Sequence, residues 1–166
     1  GSQDAERFIG LGVNASKVQT TGNPKFDAGS GILLSNEEKA IWLKQNGLLS
    51  DTANSLILLG ASTWPEEEAF LIETFKAART DGIDCRLVLV PRHAERRGEI
   101  ETILNSSGLE WEMRSQTPEP QRMLDVYLAD TTGELSTFVQ LADVAFIGKS
   151  LPPHTEGQTP IECALL

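Results

Sequence analysis

Four short stretches of the chain carry residue types suited to holding a polar or anionic ligand: "GASTWPEEE" (Gly60–Glu68), "PRHAERR" (Pro91–Arg97), "ADTTGEL" (Ala129–Leu135) and "IGKSLPPHTEGQTPIE" (Ile147–Glu162). The second is the most telling, because it gathers Arg92, His93, Arg96 and Arg97 in an acidic chain, directly after an apolar run and at the start of a helical one. Guanidinium groups placed beside the free N–H groups of a helix start make a phosphate site. Arg92 and His93 stand nearest the apolar run and are assigned to ligand binding, whereas Arg96 and Arg97 read as charges that solvate a helix face.

The first stretch offers the Ser62 hydroxyl. In the third, Thr131, Thr132 and Gly133 combine hydroxyls with a backbone free of side-chain bulk, a pattern that on its own describes an ordinary helix cap. In the fourth, Pro160 opens a helix with Glu162 in its first turn, where the carboxylate either complements the helix dipole or accepts hydrogen bonds from ribose hydroxyls. Asp130 and Asp143 fit strand-end turn chemistry and carry no catalytic assignment. His154 is isolated, and a solvent-facing or domain-facing position suits it better than a metal-ligand role.

The elements that must position these stretches follow from hydrophobic periodicity. Apolar, β-rich runs at Val18–Thr20, Ser55–Ala61, Arg86–Pro91, Asp125–Ala129 and Val144–Ile147 alternate with helical segments at Glu37–Gln45, Glu66–Arg79, Ala94–Asn105 and Glu134–Leu141. Such alternation is a run of βα units. Ser35 and Glu38 form a capping box, Gly47 stops the same helix, and Pro65 with Glu66, Glu67 and Glu68 marks the next helix start. "SLILLGA" and "RLVLVP" are continuously apolar, as strands covered on both faces must be. The expected architecture is α/β: a Rossmann-like open parallel sheet with helices on both faces, and Ser115–Met123 as a polar surface loop. Ligands of such sheets gather at the carboxyl ends of the strands, where all four stretches should meet.

Composition excludes several classes. With 14 Lys+Arg against 24 Asp+Glu, the formal charge of −10 repels a nucleic-acid backbone. Cys85 and Cys163 show no metal-ligand spacing and read as buried free thiols, so neither a metal nor a cofactor is expected. The longest apolar runs fall far short of the roughly 20 residues a membrane helix needs. At 166 residues one domain is expected. Gly1-Ser2 is compatible with a vector scar and "TPIECALL" with a helix cut short, so residues 1–166 are read as a domain taken from a longer protein.

At these same stretches the sequence resembles the Kdo (3-deoxy-D-manno-octulosonic acid) transferase family. "LGV…VQTTGNPKFD" (Leu11–Asp27) is similar to "LGA…VTGNLKFD", "GASTWPEEEAFL" to "AASTHxGEEE", and "LVLVPRHAERR" to "LLLVPRHPERF". "LADTTGELSTFVQLADVAFIGKSL" is similar to "IGDTMGELxxLYxxADVAFVGGSL", and "GQTPIECA" stands where the family has "GHNPLEPA". The resemblance covers nearly the whole chain and preserves the order of five motifs.

It implies the C-terminal, donor-binding half of a glycosyltransferase B fold, and an inverting, metal-independent transfer of Kdo from CMP-Kdo to a lipid A precursor at the cytoplasmic face of the bacterial inner membrane. The base is then a glutamate of the absent N-terminal domain, which also receives the acceptor, and this chain binds without catalysing. Pro91 and Arg92 would line the nucleotide site with Arg92 near the phosphate, and Gly133, Glu134 and Leu135 would make the second contact. Thr159, Pro160, Ile161 and Glu162 would make the third, with Glu162 toward the ribose. Trp64 and Lys149 depart from the family's His and Gly, and Lys149 would add a charge facing the phosphate or carboxylate of CMP-Kdo. Two other readings stand beside this one: the nucleotide-sugar-binding domain of another enzyme of the same fold, such as a UDP-sugar epimerase or transferase, and a non-catalytic nucleotide-binding module.

Overall fold

The computed structural model describes residues 1–22, 33–49, 55–154 and 156–166. The chain forms two compact units, 1–31 and 32–166. In the first, helix α1 (Ser2–Gly10) runs through good helix formers and ends where Leu11 and Gly12 turn back, their N–H groups donating to Arg7 and Ile9. A 3-10 turn at Ala15–Lys17 follows, capped by the Asn14 side chain. Val18–Thr20, expected as a strand, is not one: Val18 has extended dihedrals, but these residues have no ladder partner among the described residues. Residues 23–27 of the "GNPKFD" motif lie outside the described residues.

The second unit is the expected open sheet. Its elements are α2 (Asn36–Gln45), β1 (Leu56–Thr63), α3 (Glu67–Thr80), β2 (Cys85–Pro91), α4 (Arg97–Ser107), β3 (Trp111–Met113), β4 (Val126–Leu128), α5 (Leu135–Leu141), β5 (Val144–Ile147) and α6 (Ile161–Leu165). The strands are all parallel, in the order β3-β4-β2-β1-β5. β3 was not expected; three residues, with Met113 buried and Trp111 half-buried against the same core, make too short a pattern to read. Ser35 and Glu38 form the expected capping box at α2.

Alternate strand residues feed two separate cores, which is why the strands read as unbroken apolar runs. On one face Leu87, Leu89, Val126 and Leu128 pack against Leu71, Ile72 and Phe75 of α3 and Ile100 and Leu104 of α4. On the other, Ile57, Leu59, Val88, Val90 and Tyr127 pack against Phe138 and Val139 of α5, with Trp42 and Leu43 of α2. Chains leaving β1 and β2 therefore turn to the first face, and the chain leaving β4 turns to the second.

The neighbours β2 and β4 thus send their connections to opposite faces, and a crevice opens between their carboxyl ends. On the other side of β1, the chain leaving β5 is pressed onto the sheet edge. Gly148 donates its N–H to Ala61 O at 2.8 Å, and a Cβ on Gly148 would stand 1.9 Å from Ser62 O, a place no side chain can occupy. Gly148→Ala is therefore expected to cost about 1–3 kcal/mol or more, read as a lowered thermal midpoint with unchanged far-ultraviolet circular dichroism.

Candidate functional site

The crevice holds a cavity of about 130 Å³ lined by Ser62, Val90, Pro91, Arg92, Ala94, Thr131, Thr132, Gly133 and Leu135. Five expected residues meet here: Ser62, Pro91, Arg92, Gly133 and Leu135. Ser62 reaches it through a bulge, since Ala61 pairs with Val90 and Thr63 with Pro91, leaving Ser62 as the extra residue at φ 56. Arg92 is anchored by its N–H on Thr63 O at 3.0 Å while its side chain is exposed. Every other arginine has a carboxylate within 4.0 Å; Arg92 has none among the described residues. In a chain of charge −10, a guanidinium left without an acid beside a cavity is one available to an anionic ligand.

Across the cavity the chain turns at Gly133, whose φ of 85 is the left-handed conformation glycine allows. Among the described residues, the N–H groups of Gly133, Glu134, Leu135 and Ser136 have no hydrogen-bond partner, so an acceptor can meet them. The Glu134 side chain is turned to other work. Arg114 donates to it from Nη2 at 2.9 Å and from Nε at 3.4 Å, and the Thr131 hydroxyl also donates to it. Arg114 further reaches Asn46 Oδ1 at 3.1 Å and Tyr127 Oη at 3.2 Å and lies over the Trp42 ring, so it ties α2 and β4 to this loop. Burial by itself raises the Glu134 carboxyl, but the hydrogen bonds from Arg114 and Thr131, with the Arg114 charge, outweigh it and hold it below the ordinary 4.5.

Two buried carboxylates at the start of α3 hold the rest of the edge. Glu67, 2% exposed, accepts the N–H groups of Trp64 at 2.8 Å, Lys149 at 3.0 Å, Ser150 at 2.8 Å and Leu151 at 3.3 Å. Glu68, 0% exposed, accepts the Thr63 hydroxyl at 2.7 Å and a bidentate pair from Arg96 at 2.8 and 3.1 Å. Arg96 is thus no solvated helix-face charge as its sequence context suggested; it clamps the 3-10 turn Ala94–Arg96 behind Arg92. Pro65 and Glu66 lie just before α3, with Glu66 at φ 75. Both acids escaped assignment, although a signal existed: Glu68 stands three, four and seven residues before Leu71, Ile72 and Phe75, on the buried stripe of the helix.

The remaining expected residues lie outside the cavity lining. His93 is exposed and Lys149 half-buried, both against the Trp64 ring. Thr159 and Pro160 precede α6 and Ile161 and Glu162 open it, and α6 packs on α5. Asp130 accepts the Ser115 N–H and hydroxyl, and Asp143 accepts the Ile57 N–H, both structural uses. Burial raises both the Cys85 and the Cys163 thiol, in keeping with unreactive cysteines. No group of three or more His, Cys, Asp or Glu among the described residues is arranged to hold a metal ion, and no described helix is long and apolar enough to cross a membrane.

No protein-family model matches the chain. It is 32% identical over 148 residues to 3-deoxy-D-manno-octulosonic acid transferase of Rickettsia bellii, covering 89% of this chain and 33% of that protein. It is 34% identical over 167 residues to the protein of the same name from Bordetella pertussis, covering 98% of this chain and 36% of that protein. The chain therefore spans about a third of the length of the curated relatives it matches. Among solved structures it is similar to the C-terminal CMP-Kdo binding domain of WaaA from Acinetobacter baumannii, with a TM-score of 0.65 and 30% identity over 78% of this chain and 65% of that one.

Two outcomes follow from the site's construction. Glu67→Gln confronts at least one backbone N–H with the amide's own N–H, and the unfolding free energy should fall by about 1–3 kcal/mol, with the amide resonances of Lys149 and Ser150 displaced. Because the folded Glu134 carboxyl is held below 4.5, its pairing stabilises fully above that value and is lost as pH falls through the folded pKa. The difference in urea midpoint between wild type and Arg114→Met should hold steady from pH 7 to about 5 and shrink below about 4.5.

Proposed function

As the chain belongs to the Kdo transferase family, we propose that its sheet edge is the donor half of the active cleft and binds CMP-Kdo. The observation that carries this reading is the cavity between β2 and β4, with unpaired Arg92 on one wall and the free N–H groups of Gly133 to Ser136 on the other. A phosphate between them receives a guanidinium fork and backbone donors together. Pro91, Ser62 and Leu135 shape the wall, and Glu134 acts through its backbone because its carboxylate is committed to Arg114. Thr159, Pro160, Ile161 and Glu162 complete the nucleotide contact from the start of α6, with Glu162 directed to the ribose.

At about 130 Å³ the cavity is smaller than the roughly 300–1,000 Å³ of a ligand-enclosing pocket. The donor therefore lies across its rim and is closed in by the remainder of the longer protein. In that protein the reaction is a glycosyl transfer from CMP-Kdo to a lipid A precursor at the inner face of the bacterial inner membrane, inverting and without a metal. A glutamate outside this chain serves as base, and these residues hold the phosphate whose leaving must be stabilised. The isolated chain binds and does not turn over.

Titrating isotope-labelled chain with CMP should shift the amide signals of Arg92, Gly133 and Leu135, with UMP weaker. Arg92→Ala should weaken CMP about tenfold or more, the size of a charge-assisted hydrogen bond. Saturating CMP without shifts at these residues sinks the reading.

A further inference from the structure

Beside the cavity, the same sheet edge carries a second polar cluster, one lysine and two imidazoles, built on Trp64. Lys149 Nζ stands 4.9 Å from the centroid of the indole, His93 meets its edge at 5.6 Å, and His154 lies against it at 5.1 Å. These residues leave β1, β2 and β5, so three separate loops converge on one ring. Two acids face them. Glu95 Oε1 is 3.4 Å from His93 Nδ1, and Glu156 Oε2 is 3.7 Å from Lys149 Nζ and 4.0 Å from His154 Nδ1. Glu156 is 66% exposed on its side chain, so the carboxylate that meets Lys149 and His154 is one that can swing into solvent.

The backbone gives an independent reason to assign Lys149 a task. Ser62, Glu66 and Lys149 are the non-glycine residues of positive φ among those described, and all three lie on this edge. Lys149, at φ 63, occupies a conformation that glycine adopts at less cost. It is kept there by the buried Glu67 carboxylate, which accepts its N–H, and by Gly157, whose N–H donates to Lys149 O at 2.7 Å. Strain of this kind persists where the surroundings over-determine it, and it clusters at ligand sites.

A nucleoside monophosphate joined to a sugar acid carries two separated negative charges, a phosphodiester and a carboxylate. The cavity and the Trp64 cluster are adjacent along the same loops, since Ser62 and Arg92 face one and Trp64 and His93 face the other. We propose that Lys149, with His93 and His154 around Trp64, forms a second anion subsite that takes the sugar carboxylate of the donor, a place the Glu156 carboxylate fills until the donor arrives. The inference rests on the donor-binding reading above and adds the group that distinguishes a sugar acid from a neutral sugar.

Lys149→Gly tests it, because glycine relieves the backbone while removing the cation. Calorimetric titration of the 166-residue chain with CMP and with CMP-Kdo should show CMP-Kdo weakened about tenfold and CMP unchanged. The thermal midpoint of the variant should be no lower than that of wild type, Lys149→Arg should retain the preference for CMP-Kdo, and the Trp64 indole N–H resonance should move with CMP-Kdo and not with CMP. Equal weakening of both ligands, or of neither, overturns the subsite while leaving the nucleotide reading intact. A wild-type chain that binds neither ligand overturns both.

Discussion

Two adjacent carboxylates buried at the start of α3 hold this sheet edge together. Glu67 and Glu68 have been taken out of water, which is costly unless every lone pair is met. They are met differently. Glu68 finds a full positive charge in Arg96, so it is an ion pair with a hydroxyl added. Glu67 has backbone N–H groups instead, drawn from its own loop and from the loop after β5. The edge is therefore organised by main-chain dipoles converging on a negative centre. Three loops, leaving β1, β2 and β5, are fixed by two neighbouring residues of one helix.

That organisation explains how a shallow cavity in a very acidic chain can attract an anion. Four acids at the edge are spent on structural donors: Glu67 on amides, Glu68 on Arg96, Glu134 on Arg114, and Asp130 on Ser115. What remains uncommitted at the cavity is Arg92 and a run of free N–H groups. The groups left facing the cavity are thus donors, whereas the overall charge decides which polymers stay away. Strand order supplies the place, because β2 and β4 are neighbours whose connections leave to opposite faces.

The sheet, its parallel sense and most of its helices were legible because burial on two faces leaves an unbroken apolar signature, as in "SLILLGA" and "RLVLVP". Arg92 was legible by position, as a residue placed at a strand exit, and Gly133 through the resemblance, since its own motif reads as an ordinary cap. The roles of Glu67, Glu68 and Arg96 were not, since a run of glutamates beside a proline and a run of arginines after a histidine both look like solvated surface. Only the tertiary approach of α3 to the turn after β2 turns them into a buried pair. β3 escaped because its three residues gain their strand character from β4 alone, and Val18–Thr20 misled because β-prone residues without a partner have nothing to pair with.

Gly148 gives the edge a mechanical property. Its missing side chain lets the backbone after β5 rest directly on the Ser62 bulge of β1, main chain against main chain, with the Gly148 N–H on Ala61 O. No rotamer lies between the two segments to absorb a displacement. The residues that face the cavity and those that face the Trp64 ring are thereby joined through main chain alone. What is left free to adjust on this edge is exposed side chain, above all Arg92 and Glu156.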